Sequence, residues 1–159
     1  MTTPTPAKLH DIPITQAPIL GLQEVGPSSQ RLLLQIEDNA ANADVIAQLI
    51  ARRSDLKLLT AMDGYQGIEM ANSHQPAVIL MDMKMPGMNG LEAFVLLRNN
   101  PATAHIPVIA LSSNAYKLEI KHCLEAGFFS YITKPFNIVE LMAAIDAALD
   151  YGKAVHLAK

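Results

Sequence analysis

The chain has 159 residues, half of them apolar and 17% charged, with twelve Lys and Arg against fifteen Asp and Glu for a net charge of -3. That length fits one domain with an extension, and that balance excludes disordered, collagenous and low-complexity chains. The acidic balance gives no field to draw nucleic acid, and the apolar runs fall far short of the ~20 residues a membrane span needs, so neither nucleic acid nor membrane is expected as a direct partner.

Residues 1–29 hold five of the ten prolines and only three charged side chains, Lys8, Asp11 and Glu24, which reads as a proline-rich extension or linker. The opening MTTPTPAKLH has neither the charged nor the apolar segment of a secretory signal, and a lone Cys123 cannot close an internal disulfide. The expected compartment is therefore a reducing cytoplasm.

From residue 30 the pattern changes. Leu32 to Glu37 is a near-continuous apolar run that ends in Glu37 and Asp38, a buried strand by composition. Asn42, Val45, Ile46, Leu49 and Ile50 then recur at three- and four-residue steps, a helix that Asn39 or Asp38 can cap. Leu56 to Ala61 reads as a second strand, and Gly64 to Ser73 as a helix with Ile68 and Ala71 inward. Pro76 opens the most apolar run, which ends at Asp82. Met83 to Asn89 is a loop, and Leu91, Phe94, Val95 and Leu97 carry the third helix.

Val108 to Leu111 forms a fourth strand ending in Ser112 and Ser113. The helix from Tyr116 to Ala126 has a poor apolar stripe, Leu118 and Leu124, and stops at Gly127. Phe129 to Thr133 is a fifth strand leading to Lys134 and Pro135. Ile138, Leu141, Met142, Ile145 and Leu149 give the strongest amphipathic helix, to about Tyr151, leaving 152–159 as a tail. Five βα units with continuously apolar strands predict a doubly wound α/β domain over 30–151, a parallel sheet with helices on both faces.

Ligands of such sheets bind outside the carboxyl ends of the strands. Those ends carry Glu37 and Asp38, Asp82, Ser112 and Lys134. Three carboxylates packed together repel and call for a cation, and an all-oxygen set suits Mg²⁺, with Mn²⁺ as an alternative. An aspartate is already ionised at neutral pH, so Asp82 can attack phosphorus without a general base, with Lys134 and the Ser112 hydroxyl stabilising phosphoryl oxygens.

The segments IEDNAAN, ILMDMKMPGMNG, IALSSNA and GFFSYITKPF, in this order and at these spacings, resemble the receiver domains of two-component response regulators over about Gln30 to Tyr151. The resemblance implies a flavodoxin-like five-stranded sheet of order 2-1-3-4-5. It implies Asp82 as phosphoacceptor, and a Mg²⁺ site made by Asp38, Asp82, Glu37 through water and the backbone carbonyl of Lys84. It further implies Ser112 and Tyr131 as switch residues, Lys134 as the site lysine and Pro135 as a cis-proline. Glu-Asp in place of Asp-Asp is similar to receivers attached to sensor kinases, and Ala40 stands where such motifs often carry Pro. Lys84 and Asn114, each two residues beyond a site residue, shape water access to the phosphoryl group.

The implied function is a phosphorylation-dependent signalling switch. A sensor histidine kinase or histidine phosphotransfer domain supplies the phosphoryl group, and the surface of the fourth helix, fifth strand and fifth helix controls an unidentified downstream protein. A homodimer through that surface is one form such control takes. The alternative context is the C-terminal receiver of a hybrid histidine kinase, a phosphorelay intermediate. An enzyme reading, a small aspartyl-phosphate phosphatase of the haloacid dehalogenase type, requires a second Asp two residues after the nucleophile, where this chain has Lys84. GxxxxGK[ST], GxGxxG and GxSxG are not at useful positions. Taken singly, Asp82 reads as a turn former, Ser112 as a helix cap, Tyr131 as a half-buried strand aromatic with its hydroxyl in water, and Cys123 and the methionines as packing.

Overall fold

A computed structural model describes residues 30–157; the predicted linker over 1–29 lies outside the described residues. Five strands, β1 (Arg31–Ile36), β2 (Leu56–Ala61), β3 (Val78–Asp82), β4 (Val108–Ser112) and β5 (Ser130–Thr133), alternate with five helices. These are α1 (Ala40–Ala51), α2 (Gly64–His74), α3 (Gly90–Asn99), α4 (Lys117–Ala126) and α5 (Ile138–Leu157). The strands form one parallel sheet of order β2-β1-β3-β4-β5.

Strand residues alternate between two apolar layers, which is why the runs read as continuous and not as hydrophobic-polar. Leu34, Ile36, Ile79, Met81, Val108 and Ala110 pack with Ala71, Phe94, Leu97 and Cys123 of α2, α3 and α4. Leu33, Val78, Leu80, Ile109, Leu111 and Ile132 pack on the other face with Ile46, Ile50, Leu141, Ile145 and Leu149 of α1 and α5. The parallel register sets Ile36 opposite Ala61 and Met81, Asp82 opposite Leu111, and Ser112 opposite Thr133. The strand ends are thereby aligned along one edge.

Four helices start on a side-chain cap. Asn39 accepts from the Asn42 N–H at 3.0 Å, Asp63 from Gln66 at 2.8 Å, Asn137 from Glu140 at 3.2 Å, and Asn89 forms a reciprocal capping box with Glu92. Helix α4 is the exception: Tyr116 at its N-cap position supplies no side-chain hydrogen bond, and Cys123 is its one buried residue. Gly127 ends α4 in the left-handed conformation (φ 116°), as its sequence position predicts.

Three local expectations need correction. Leu91 and Val95 are about half exposed, because α3 meets the sheet along the narrower stripe of Ala93, Phe94 and Leu97. Val45 and Ile138, placed inward by spacing, also face outward. Helix α5 runs to Leu157 and not to Tyr151. Lys153 and Ala154 are good helix formers, and Val155 turns back over the loop ends at Gln75–Ala77 and His105–Pro107, lining a cavity of about 440 Å³ with them.

Candidate functional site

The aligned strand ends bring Glu37, Asp38, Asp82 and Lys134 together. Glu37 follows β1 directly and is 1% exposed, Asp82 closes β3 at 5%, and Asp38 is more open. Carboxylate oxygens from the three lie within 4.8 Å of one another. The Lys134 ammonium sits 3.1 Å from Glu37 Oε2 and 3.5 Å from Asp82 Oδ1. It reaches there from a cis Lys134–Pro135 peptide, as the resemblance implies.

Backbone amides complete the cluster. The Asn39 N–H donates to Glu37 Oε1 at 3.2 Å and the Lys84 N–H donates to Asp82 Oδ1 at 3.1 Å. Glu37 therefore has both carboxylate oxygens engaged, whereas Asp82 is less well satisfied. Burial pushes the Asp82 carboxyl up to about 6, the Lys84 N–H opposes, the Glu37 charge raises it further and the Lys134 charge lowers it. One ammonium among three carboxylates leaves the cluster net negative. These all-oxygen donors fit a hard divalent ion such as Mg²⁺ and offer no nitrogen or sulfur to a softer metal.

Ser112, at the end of β4, is 4% exposed. Its Oγ accepts the Asn114 N–H at 3.1 Å, which leaves its own proton to donate. Tyr131 is not a half-buried aromatic with its hydroxyl in water. It is 9% exposed, and its hydroxyl donates to the Asn114 carbonyl at 2.6 Å. Burial raises its phenol above the ordinary value, opposed by the Ser112 hydroxyl. The Lys84 side chain is exposed and lines a cavity of about 490 Å³ with Ser113, Asn114, Ala115 and Tyr116.

Two contributors were not singled out by sequence reasoning. Gly90 opens α3 against the back of the site, where a Cβ would lie 2.7 Å from the Asp82 carbonyl oxygen and 2.8 Å from Met83 Cα. The adjoining Asn89 cap signal marks the helix start but not this backbone approach. Asn39 carries a cap signal in the sequence, which does not reveal that its amide also holds Glu37.

A family profile described as the response regulator receiver domain matches residues 33–146. The polar-differentiation response regulator DivK of Brucella anthropi is 31% identical over 114 residues, covering 72% of this chain and 92% of that protein. Among solved structures, the receiver domain of a sensor histidine kinase from Pseudomonas aeruginosa PAO1, with a magnesium ion coordinated in its active-site cleft, is 29% identical with a TM-score of 0.70. It covers 76% of this chain and 98% of that one. The receiver domain of a Francisella response regulator is 26% identical with a TM-score of 0.71 and the same coverage. Profile, sequence relatives, sheet order and acidic cluster agree, and the chain belongs to the receiver domains of two-component response regulators.

Proposed function

We propose that Asp82 is the phosphoacceptor of a phosphorylation-dependent switch, loaded by a histidine kinase or a histidine phosphotransfer domain. The observation that carries this reading is the convergence of Asp82, Glu37, Asp38 and Lys134 at one sheet edge, with carboxylate oxygens within 4.8 Å of each other. An Asp82 carboxylate oxygen attacks the phosphorus of a phosphohistidine. The P–N bond breaks, the imidazole departs and takes up a proton, and an acyl phosphate remains on Asp82. In our reading Lys134 neutralises one phosphoryl oxygen and the Ser112 hydroxyl donates to another.

Asp38, Asp82, Glu37 through water and the Lys84 carbonyl would hold the divalent ion. When bound, that ion supplies charge neutralisation to carboxylates and phosphoryl oxygens in a cluster that otherwise carries excess negative charge. Hydrolysis of the acyl phosphate is governed by water entering past Lys84 and Asn114. The output surface in this reading comprises α4, β5 and α5, where Tyr116, Leu118 and Leu124 are exposed, and its user is a downstream protein or a second copy of the chain.

Intact mass after incubation with Mg²⁺ and acetyl phosphate tests the reading. One added phosphoryl group is expected on the wild type, and none on Asp82→Asn or after chelation; uptake by Asp82→Asn overturns it. The 29% identity to a sensor kinase receiver supports the second context, a receiver within a hybrid kinase. Transfer from Asp82 onward to a phosphotransfer-domain histidine is expected in that context and not for a terminal regulator.

A further inference from the structure

The edge of the sheet opposite Asp82 borders a cavity that the phosphorylation chemistry does not use. Its volume is about 440 Å³, and it lies between the loops that lead into β3 and β4 and the last turns of α5. Pro76, Ile106 and Pro107 are buried and give it an apolar lining, Gly152 and Val155 border it from α5, and His105 borders it as an exposed polar group. A largely apolar space of this size with a few polar groups is the usual form of a small-molecule site.

Two residues in its wall are poor choices for stability. Gly152 lies inside α5 without a positive φ, where glycine is destabilising, and a Cβ there would meet only the Ala77 carbonyl at 3.9 Å. Neither the backbone nor a close neighbour requires glycine at this position, and its missing side chain leaves the space open. Gln75 has φ 49° and is the one non-glycine residue with positive φ among the described residues, a conformation that costs energy and is ordinarily given to glycine. A third wall residue, His105, has a ring without a hydrogen-bond partner among the described residues. Departures from the stable choice that converge on one place are expected where a site is maintained.

We propose that this cavity binds a small neutral ring compound carrying one N–H or O–H donor, with the ring against Ile106, Val155 and the two prolines and the donor on a nitrogen of His105. The class follows from the walls. The apolar side chains offer contact and no charge. Gln75 is the C-cap of α2 and Val155 lies in the last turn of α5, so two helix C-termini, each with partial negative charge, border the cavity. That field opposes a carboxylate or phosphate and favours a donor. A neutral imidazole has one nitrogen that accepts, which suits an N–H or O–H group. Binding here requires no phosphoryl group on Asp82 and does not rest on the phosphoacceptor reading. A bound ring ties the turns of α5 after Gly152 to the loops before β3 and β4.

The test is an amide NMR titration of the full chain with indole, with N-methylindole, which lacks the donor, and with indoleacetate, which adds a charge. Indole is expected to shift the amides of Gln75, Ala77, His105, Ile106, Gly152 and Val155 in a saturable way. N-methylindole should bind about fivefold more weakly for want of one hydrogen bond, and indoleacetate should also bind more weakly than indole. His105→Phe keeps a ring but removes the acceptor, and should weaken indole about fivefold while leaving N-methylindole unchanged. Gly152→Leu fills the space and should weaken indole by about tenfold or more, because a packed interior leaves no room for both. Val155→Trp fills it from a second position and carries the same expectation where Gly152→Leu does not fold. Absence of saturable shifts in the wild type up to the solubility of indole overturns the proposal, as do shifts that persist in the folded filling variants. Equal affinity for indole and N-methylindole, or tighter binding of indoleacetate, overturns it as well.

Discussion

Asp82 shows how burial and charge set the behaviour of a single group. Its folded value of about 6 lies above the ordinary 3.8, so the folded, metal-free protein binds a proton more tightly than the unfolded chain. The associated stability is fully present below about pH 4 and is lost as the pH rises through 6. At pH 7 without divalent ions the ionised side chain costs on the order of 3 kcal/mol. Asp82→Asn should therefore melt several degrees higher than wild type at pH 7 in chelator, and the difference should close at pH 4; thermal melts across pH read both. Lys134 is the counterpart. Removing it as Lys134→Met strands the buried Glu37 carboxylate without its cation, with an expected loss of about 3 kcal/mol in urea unfolding. The double variant with Glu37→Gln should recover most of that loss, which a double-mutant cycle measures.

Among the helices, two glycines have opposite consequences. A Cβ on Gly90 would sit 2.7 Å from the Asp82 carbonyl oxygen, against backbone that has nowhere to go. Gly90→Ala should push α3 off the end of β3, destabilise by about 2 kcal/mol and slow phosphoryl uptake, two effects that urea titration and the acetyl phosphate reaction separate. A Cβ on Gly152 would meet only the Ala77 carbonyl at 3.9 Å, an ordinary contact. Gly152→Ala should stabilise the last turns of α5 by about 0.5 to 1 kcal/mol, visible as a higher urea midpoint. Helix spacing in the sequence located α1, α3 and α5 but placed Leu91, Val95 and Ile138 inward. A period of 3.6 defines a stripe and not its width, and the width depends on how closely the helix approaches the sheet.

For the molecule as a whole, the site is a point where the strands concentrate negative charge at a cost in stability, and a bound cation offsets it. Mg²⁺ at about 100 times its dissociation constant should add about 2.7 kcal/mol, roughly 10 °C in melting temperature for a domain of this size. The increment should shrink in Asp38→Asn and Asp82→Asn, as melts against Mg²⁺ concentration would show. Much of this was legible in the sequence: five apolar strand runs, the turn residues between them, and acidic, hydroxyl and ammonium groups at successive strand ends. A parallel sheet carries each strand's last residue to the same edge, so the order of elements is enough to predict that Glu37, Asp38, Asp82 and Lys134 meet. The sequence also marked the Leu118 and Leu124 stripe of α4 as a poor anchor, and both residues are exposed, with Cys123 the helix's one buried residue. Only tertiary structure decided which partner each group takes: Lys134 nearer Glu37 than Asp82, Tyr131 turned inward onto the Asn114 carbonyl, and Gly90 pressed against the Asp82 backbone. The Lys134 choice is between two side-chain carboxylates at one edge and depends on distances that only the packed sheet sets, while the other two contacts are made to backbone, whose carbonyls carry no residue identity for a sequence pattern to reveal.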